Sequence, residues 1–103
     1  IPSVLMARFD LHRGEYGSYL LDVQTDLVWG LGTRLVVPLL PAEASPLAMR
    51  RLHPVFEVEN RQFVMATHLL TAVPERSLGT AIGTLDAHYD EIVAALDMIF
   101  VGF

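Results

Sequence analysis

The chain has 103 residues, of which 52% are hydrophobic and only 18% charged, below the roughly 25% usual for a soluble domain. Its net charge of −5 comes from twelve carboxylates against seven scattered arginines, with no lysine, so no basic stripe is present to displace counterions from DNA or RNA. There is no cysteine, which excludes disulfides and thiolate metal sites; no apolar run approaches the ~18 residues of a membrane-spanning helix.

The length fits one domain, residues 1–103. An apolar excess of this size needs a core and, beyond it, an oligomer contact or a partner, and it argues against disorder. The N-terminal IPSVLMARFD is not a basic head followed by an apolar stretch, so no secretory signal is expected and the expected compartment is cytoplasmic.

Val4 to Phe9 reads as a first strand, followed by a polar loop, DLHRGEYGS, with two glycines. Ser18 to Val23 reads as a second strand that extends through QTD toward Leu27 and Val28. The turn GLGT, Gly30 to Thr33, leads to a β-branched third strand from Arg34 to Leu39. Leu40 to Met49, with two prolines, reads as a loop with a short helical turn. Val55 to Val58 and Arg61 to Thr67 form a predicted hairpin across Glu59-Asn60. Leu69 to Val73 adds a short strand that Pro74 stops.

The last element is a helix. Asp86 is its expected N-cap, with Asp90 and Glu91 in the first turns where negative charge suits the dipole. Tyr89, Ile92, Val93, Leu96, Ile99 and Phe100 recur at spacings of three and four, a core-facing stripe. Ala94, Ala95 and Met98 fall off that stripe, so beyond Val93 only Asp97 is polar. A helix apolar on more than one side is covered twice, and a two-fold dimer hides the same patch on both copies. Leu96, Met98, Ile99 and Phe100 are assigned to that homodimer seam.

No catalytic constellation emerges. His12, His53, His68 and His88 have neither HxH nor HExxH spacing, so no metal site is expected, and no GxSxG elbow is present. GLG at Gly30 to Gly32 lacks the third glycine of a dinucleotide fingerprint and reads as a tight turn. Asp22 and Asp26 would share one face if the second strand ran that far, a conceivable acid pair; turn capping or an ion pair with Arg34 is the favoured reading. Arg50-Arg51 reads as a solvated loop.

Five words in register, LDVQTDLV (Leu21 to Val28), GTRLVVPL (Gly32 to Leu39), RRLHPVF (Arg50 to Phe56), VMATHLLTAVP (Val64 to Pro74) and LDMIFVGF (Leu96 to Phe103), resemble segments of the CcdB toxins of bacterial toxin–antitoxin modules. The resemblance implies a mainly β fold with one C-terminal helix, an SH3-like barrel of the CcdB/MazF/Kid type, packed as a homodimer through that helix. It implies a non-enzymatic toxin, without cofactor, that binds the DNA gyrase A subunit, traps the gyrase–DNA cleavage complex and is neutralised by a CcdA-like antitoxin. MazF and Kid cut RNA on the same fold, so fold alone does not set mechanism. A ribonuclease using Arg34, Thr33 and Asp22, or a non-toxic homologue that only binds the antitoxin, are the alternatives.

Carried onto this chain, the family's gyrase-contacting tail places Phe100 and Gly102 at matching positions. Val101 stands at the family's tryptophan, Phe103 at its aliphatic terminal residue, and Asp97 at an asparagine near the target. Leu27 and Val28 match an aliphatic pair that faces gyrase. An indole stacks on a target arginine and fills a pocket, whereas valine offers a small apolar contact. Either Phe103 or Trp29 supplies the aromatic contact, or the chain keeps the fold without potent poisoning. Packing of the tail in the dimer alone is the alternative account of its apolarity. For the antitoxin no residues are assigned; loops 10–17 and 40–50 are candidates by their Gly and Pro content.

Overall fold

A computed structural model describes residues 7–28, 30–45 and 49–102 of the chain. It is a mainly β half-barrel with one C-terminal helix. The strands are β1 (Asp10–Arg13), β2 (Tyr19–Asp22), β3 (Thr33–Pro41), β4 (Val55–Val58), β5 (Arg61–Met65), β6 (Thr71–Pro74) and β7 (Gly83–Thr84), and the helix is α1 (Tyr89–Val101). The sheet order is β4-β5-β3-β2-β1-β7, with β6 also paired to β3, and every pairing is antiparallel.

The long β3 organises the sheet. One edge pairs with β2 from Val36 to Leu39; the other pairs with β6 from Thr33 to Val36 and with β5 from Leu39 to Pro41. Two neighbours sharing one edge at different heights let the sheet curl. Side chains alternate across a strand, so Val37 and Leu39 enter the main core while Arg34 and Val36 face the other side; all four are buried. The main core joins Phe9, Leu21, Phe56, Phe63 and Met65 to Ile92, Ala95 and Leu96 of α1. On the other face the 75–82 segment closes over β1, where His12 Nδ1–H donates to the Gly79 carbonyl at 2.8 Å.

Several sequence expectations are met. Glu59 and Asn60 both have positive φ, 51° and 66°, the left-handed pair that a two-residue type I′ hairpin needs to match strand twist. β6 ends at Pro74, though it starts at Thr71 rather than Leu69, and a 3-10 turn, Ala42–Ala44, lies in the described part of the predicted 40–49 loop, whose first residues, Leu40 and Pro41, instead continue β3.

Others are corrected. The expected first strand, Val4 to Phe9, is not one in its described part: Phe9 has a φ of 70°, and Val4, Leu5 and Met6 lie outside the described residues. The strand is Asp10–Arg13, inside the expected polar loop. Leu11 and His12 are buried there, and the turn to β2 closes with Gly14 N–H donating to Ser18 O at 3.0 Å. A polar composition hid a strand with both faces covered. The second strand stops at Asp22 rather than reaching Val28, so Asp22 and Asp26 do not form a same-face pair; Asp26 accepts from the Arg8 N–H at 2.8 Å.

β5 ends at Met65 and a 3-10 turn, Thr67–Leu69, separates it from β6. Asp86 begins another 3-10 turn, and the N-cap of α1 is His88, with no side-chain cap bond. The Thr84 hydroxyl already accepts from the Asp86 N–H at 3.1 Å, which fixes the chain one turn earlier than the composition implied. Ala95, expected off the core stripe, is fully buried, because a small side chain lets α1 seat closely on the sheet.

No described helix is long and apolar enough to cross a membrane.

Candidate functional site

The residues assigned from the sequence fall on two elements, the loop after β2 and the end of α1. The loop is built from the inside. Arg34 Nε donates to Asp22 Oδ2 at 2.8 Å and Arg34 Nη2 to Asp22 Oδ1 at 3.0 Å, a two-pronged pair with both side chains out of solvent. Asp22 lies on β2 opposite Val36, and Arg34 is the diagonal neighbour on the same face, within reach across two strands. Asp22 Oδ1 also accepts the Gln24 N–H at 3.0 Å.

Gln24 transmits this anchor to the loop. Its Oε1 accepts the Leu35 N–H at 3.2 Å and its Nε2 donates to the Val28 carbonyl at 2.8 Å. A Thr25 turn follows, with the Val28 N–H donating to Thr25 O at 3.2 Å and the Leu27 N–H to Thr25 Oγ1 at 3.3 Å. The outcome is an exposed apolar tip on a polar, buried base: Leu27 is 89% exposed and Val28 40%. An aliphatic side chain so far from the core contributes nothing to folding, whereas a partner surface would bury it.

The second element is the end of α1. The helix is seated by Phe9 against Tyr89, ring centroids 5.6 Å apart, and by Phe56 against His88 at 4.8 Å. Its last turn leaves the core. Ile99 is partly exposed, while Phe100 and Val101 are 66% and 58% exposed. Gly102 adopts left-handed φ 85°, and its N–H donates to the carbonyls of Asp97 at 3.2 Å and Met98 at 3.1 Å. It closes the helix as a C-cap, a conformation that strains any residue with a Cβ.

Of the assigned seam residues, Leu96 belongs to the core of this chain, only 8% exposed, and Met98 is half-buried; Ile99 and Phe100 face outward. Asp97 is exposed. Phe103 and Trp29 lie outside the described residues. Among the described residues no three His, Asp or Glu side chains gather where a metal would be held.

Sequence reasoning missed Gln24 as the latch of the loop. The available signal is a polar residue in an apolar run between two aspartates. The favoured reading of Asp22, turn capping or an ion pair with Arg34, is met in both parts: it pairs with Arg34 and accepts the Gln24 N–H.

A protein-family model described as "CcdB protein" matches residues 8–102.

Proposed function

The chain belongs to the CcdB family, and on that premise we propose that it acts as the toxin of a toxin–antitoxin module by binding the DNA gyrase A subunit. In this reading it is a homodimer without cofactor or catalytic activity. It traps the gyrase–DNA cleavage complex and is neutralised by a CcdA-like antitoxin. Family membership supports a toxin of the ccd type; gyrase as its target and the dimer are the proposed steps.

The observation that carries the proposal is the outward turn of Ile99, Phe100 and Val101 ahead of the Gly102 cap, a rigid apolar end that the chain's own core does not use. The latched Leu27-Val28 tip is a second apolar probe. Ile99 and Phe100 supply the seam between copies, with Met98 at its margin, while Val101, Gly102, Phe103, Asp97, Leu27 and Val28 face the target. The net charge of −5 suits contact with a protein rather than bare DNA.

The test is a cleavage assay with plasmid, gyrase and ATP. Linear DNA formed with the intact chain, and not with a variant lacking Gly102 and Phe103, supports the proposal and its tail. A folded dimer that yields no linear DNA at any concentration overturns it. Val101 in place of an indole favours one second reading, a homologue that binds the antitoxin without poisoning gyrase; that outcome is its signature.

A further inference from the structure

Two of the four histidines meet ring to ring although they lie 15 positions apart. His53 Nε2 is 2.9 Å from His68 Nδ1, with the rings nearly perpendicular at 82° and their centroids 4.9 Å apart. Both rings stand on fixed backbone. The His53 N–H donates to the Met49 carbonyl at 2.7 Å, closing a turn just ahead of Pro54. His68 is the middle residue of the 3-10 turn Thr67–Leu69, which is held by the Leu69 N–H on Ala66 O at 2.8 Å and the Leu70 N–H on Thr67 O at 3.2 Å. That turn packs against α1.

The pair is closed at one end and open at the other. His53 is only 7% exposed, and its Nδ1 has no partner among the described residues. Its polar outlet is Nε2, aimed at His68, which is exposed to solvent. With the His53 proton on Nδ1 and the His68 proton on Nε2, the two facing nitrogens both present lone pairs, which repel unless a cation lies between them. His53 Nδ1 is unpaired in either form, so that ring gives up no other contact. Imidazole–metal bonds run about 2.0–2.1 Å. Nitrogens 2.9 Å apart then meet a shared ion at close to a right angle, whereas a tetrahedral ion needs them about 3.4 Å apart. The right angle is that of the tetragonal ions, Cu(II) and Ni(II).

We propose that His53 Nε2 and His68 Nδ1 bind a divalent transition-metal ion of tetragonal preference, Cu(II) foremost, with water completing the coordination. Cu(II) stands highest among the divalent first-row ions in affinity for nitrogen sites. No third His, Asp or Glu joins the pair among the described residues, so the ion is held from one side and stays open to solvent on the other. It ties the 49–54 segment to the turn that packs on α1, and an ion that prefers the folded pair stabilises the fold. The site shares no residue with the Leu27-Val28 tip or the end of α1 and stands whether or not gyrase is the target.

The test adds copper(II) chloride to the intact protein in a non-coordinating buffer at neutral pH, reading the copper electron paramagnetic resonance spectrum and the midpoint of urea unfolding. One Cu(II) should bind per chain with splitting from two nitrogens, and the midpoint should rise with copper concentration. His68→Gln, at an exposed position, should keep the fold, lose one nitrogen from the spectrum, weaken binding about tenfold or more and flatten the rise. His88→Gln removes the histidine that pairs with Glu91 and should alter neither reading. A one-nitrogen spectrum from the parent, equal binding by His68→Gln, lost binding in His88→Gln, or no bound copper at any attainable concentration would each overturn the proposal.

Discussion

Arg34 holds Asp22 through two parallel hydrogen bonds of 2.8 and 3.0 Å, and both side chains are removed from solvent. Breaking such a pair from one side strands a charge, while replacing both partners does not. Asp22→Asn should lower unfolding stability by about 3–5 kcal/mol in a urea titration, and a double variant, Asp22→Leu with Arg34→Met, should recover most of it. A single variant within about 0.5 kcal/mol of the parent would show that the pair is not the anchor it is taken to be.

Gln24 carries the anchor to the loop, so its loss should be felt at the tip rather than in the core. Gln24→Ala removes the bonds to the Leu35 N–H and the Val28 carbonyl, a cost of about 1–3 kcal/mol for buried polar groups left unpaired. Protease cleavage around residues 25–28 should speed up while the far-ultraviolet spectrum is kept. If gyrase binding uses the tip, DNA linearisation should fall in parallel; unchanged cleavage by protease and by gyrase would remove Gln24 from the argument.

The residues proposed for a helix seam divide into two classes. Leu96 packs within the chain's own core, so Leu96→Asp should unfold the subunit rather than only separate a dimer. Phe100 is two-thirds exposed, so Phe100→Asp should leave a folded chain whose apparent mass in sedimentation falls to that of a monomer. Phe100→Asp that stays dimeric would place the seam elsewhere.

The end of α1 allows a gain-of-function test. Val101→Trp restores the side chain that the family resemblance implies at an exposed position, and tryptophan is a frequent dominant contact in interfaces. It should raise the potency of DNA linearisation by about tenfold or more. Gly102→Ala, by contrast, puts a Cβ at φ 85° and should cost about 1 kcal/mol of stability at the helix end.

His53 sets a pH dependence. It is buried, hydrogen-bonded ring to ring with His68 at 2.9 Å, and burial followed by the nearby His68 charge holds it below the ordinary imidazole range. The unfolded chain then takes up its proton at a higher pH than the folded one. Stability should be full above about pH 6.5 and fall as pH drops toward the lowered value. His53→Asn should flatten that slope in chemical denaturation at pH 7 and pH 5; an unaltered slope would assign the dependence to another group.

What could be read from particular residues followed from local rules. Glu59-Asn60 announced a hairpin because few residue pairs accept two left-handed positions. Pro74 ended its strand, and the spacing of Ile92 and Leu96 marked the inward face of α1. Elements failed where partners far along the chain decided. Asp10–Arg13 looks like a loop until β2 and β7 pair with its two edges and Gly79 receives His12. Asp86 looks like a cap until Thr84 takes its N–H. Polar residues in buried strands are invisible to periodicity because their satisfaction comes from tertiary neighbours.

By itself, the sequence determined the class of molecule: acidic, without thiols, mostly β with an apolar C-terminal helix, carrying words of a known toxin family. Those are properties of composition, short-range sterics and register, which each segment carries alone. Only the tertiary structure decided which apolar residues are core and which are left over. Leu96 and Phe100 are four positions apart on one helix, yet the first is sealed by the sheet and the second is not. Only the fold also brought Asp22, Gln24 and Arg34 into one network, or His53 and His68 into contact. Burial and charge pairing are pairwise energies between residues distant in sequence, so they exist only once the chain has closed on itself.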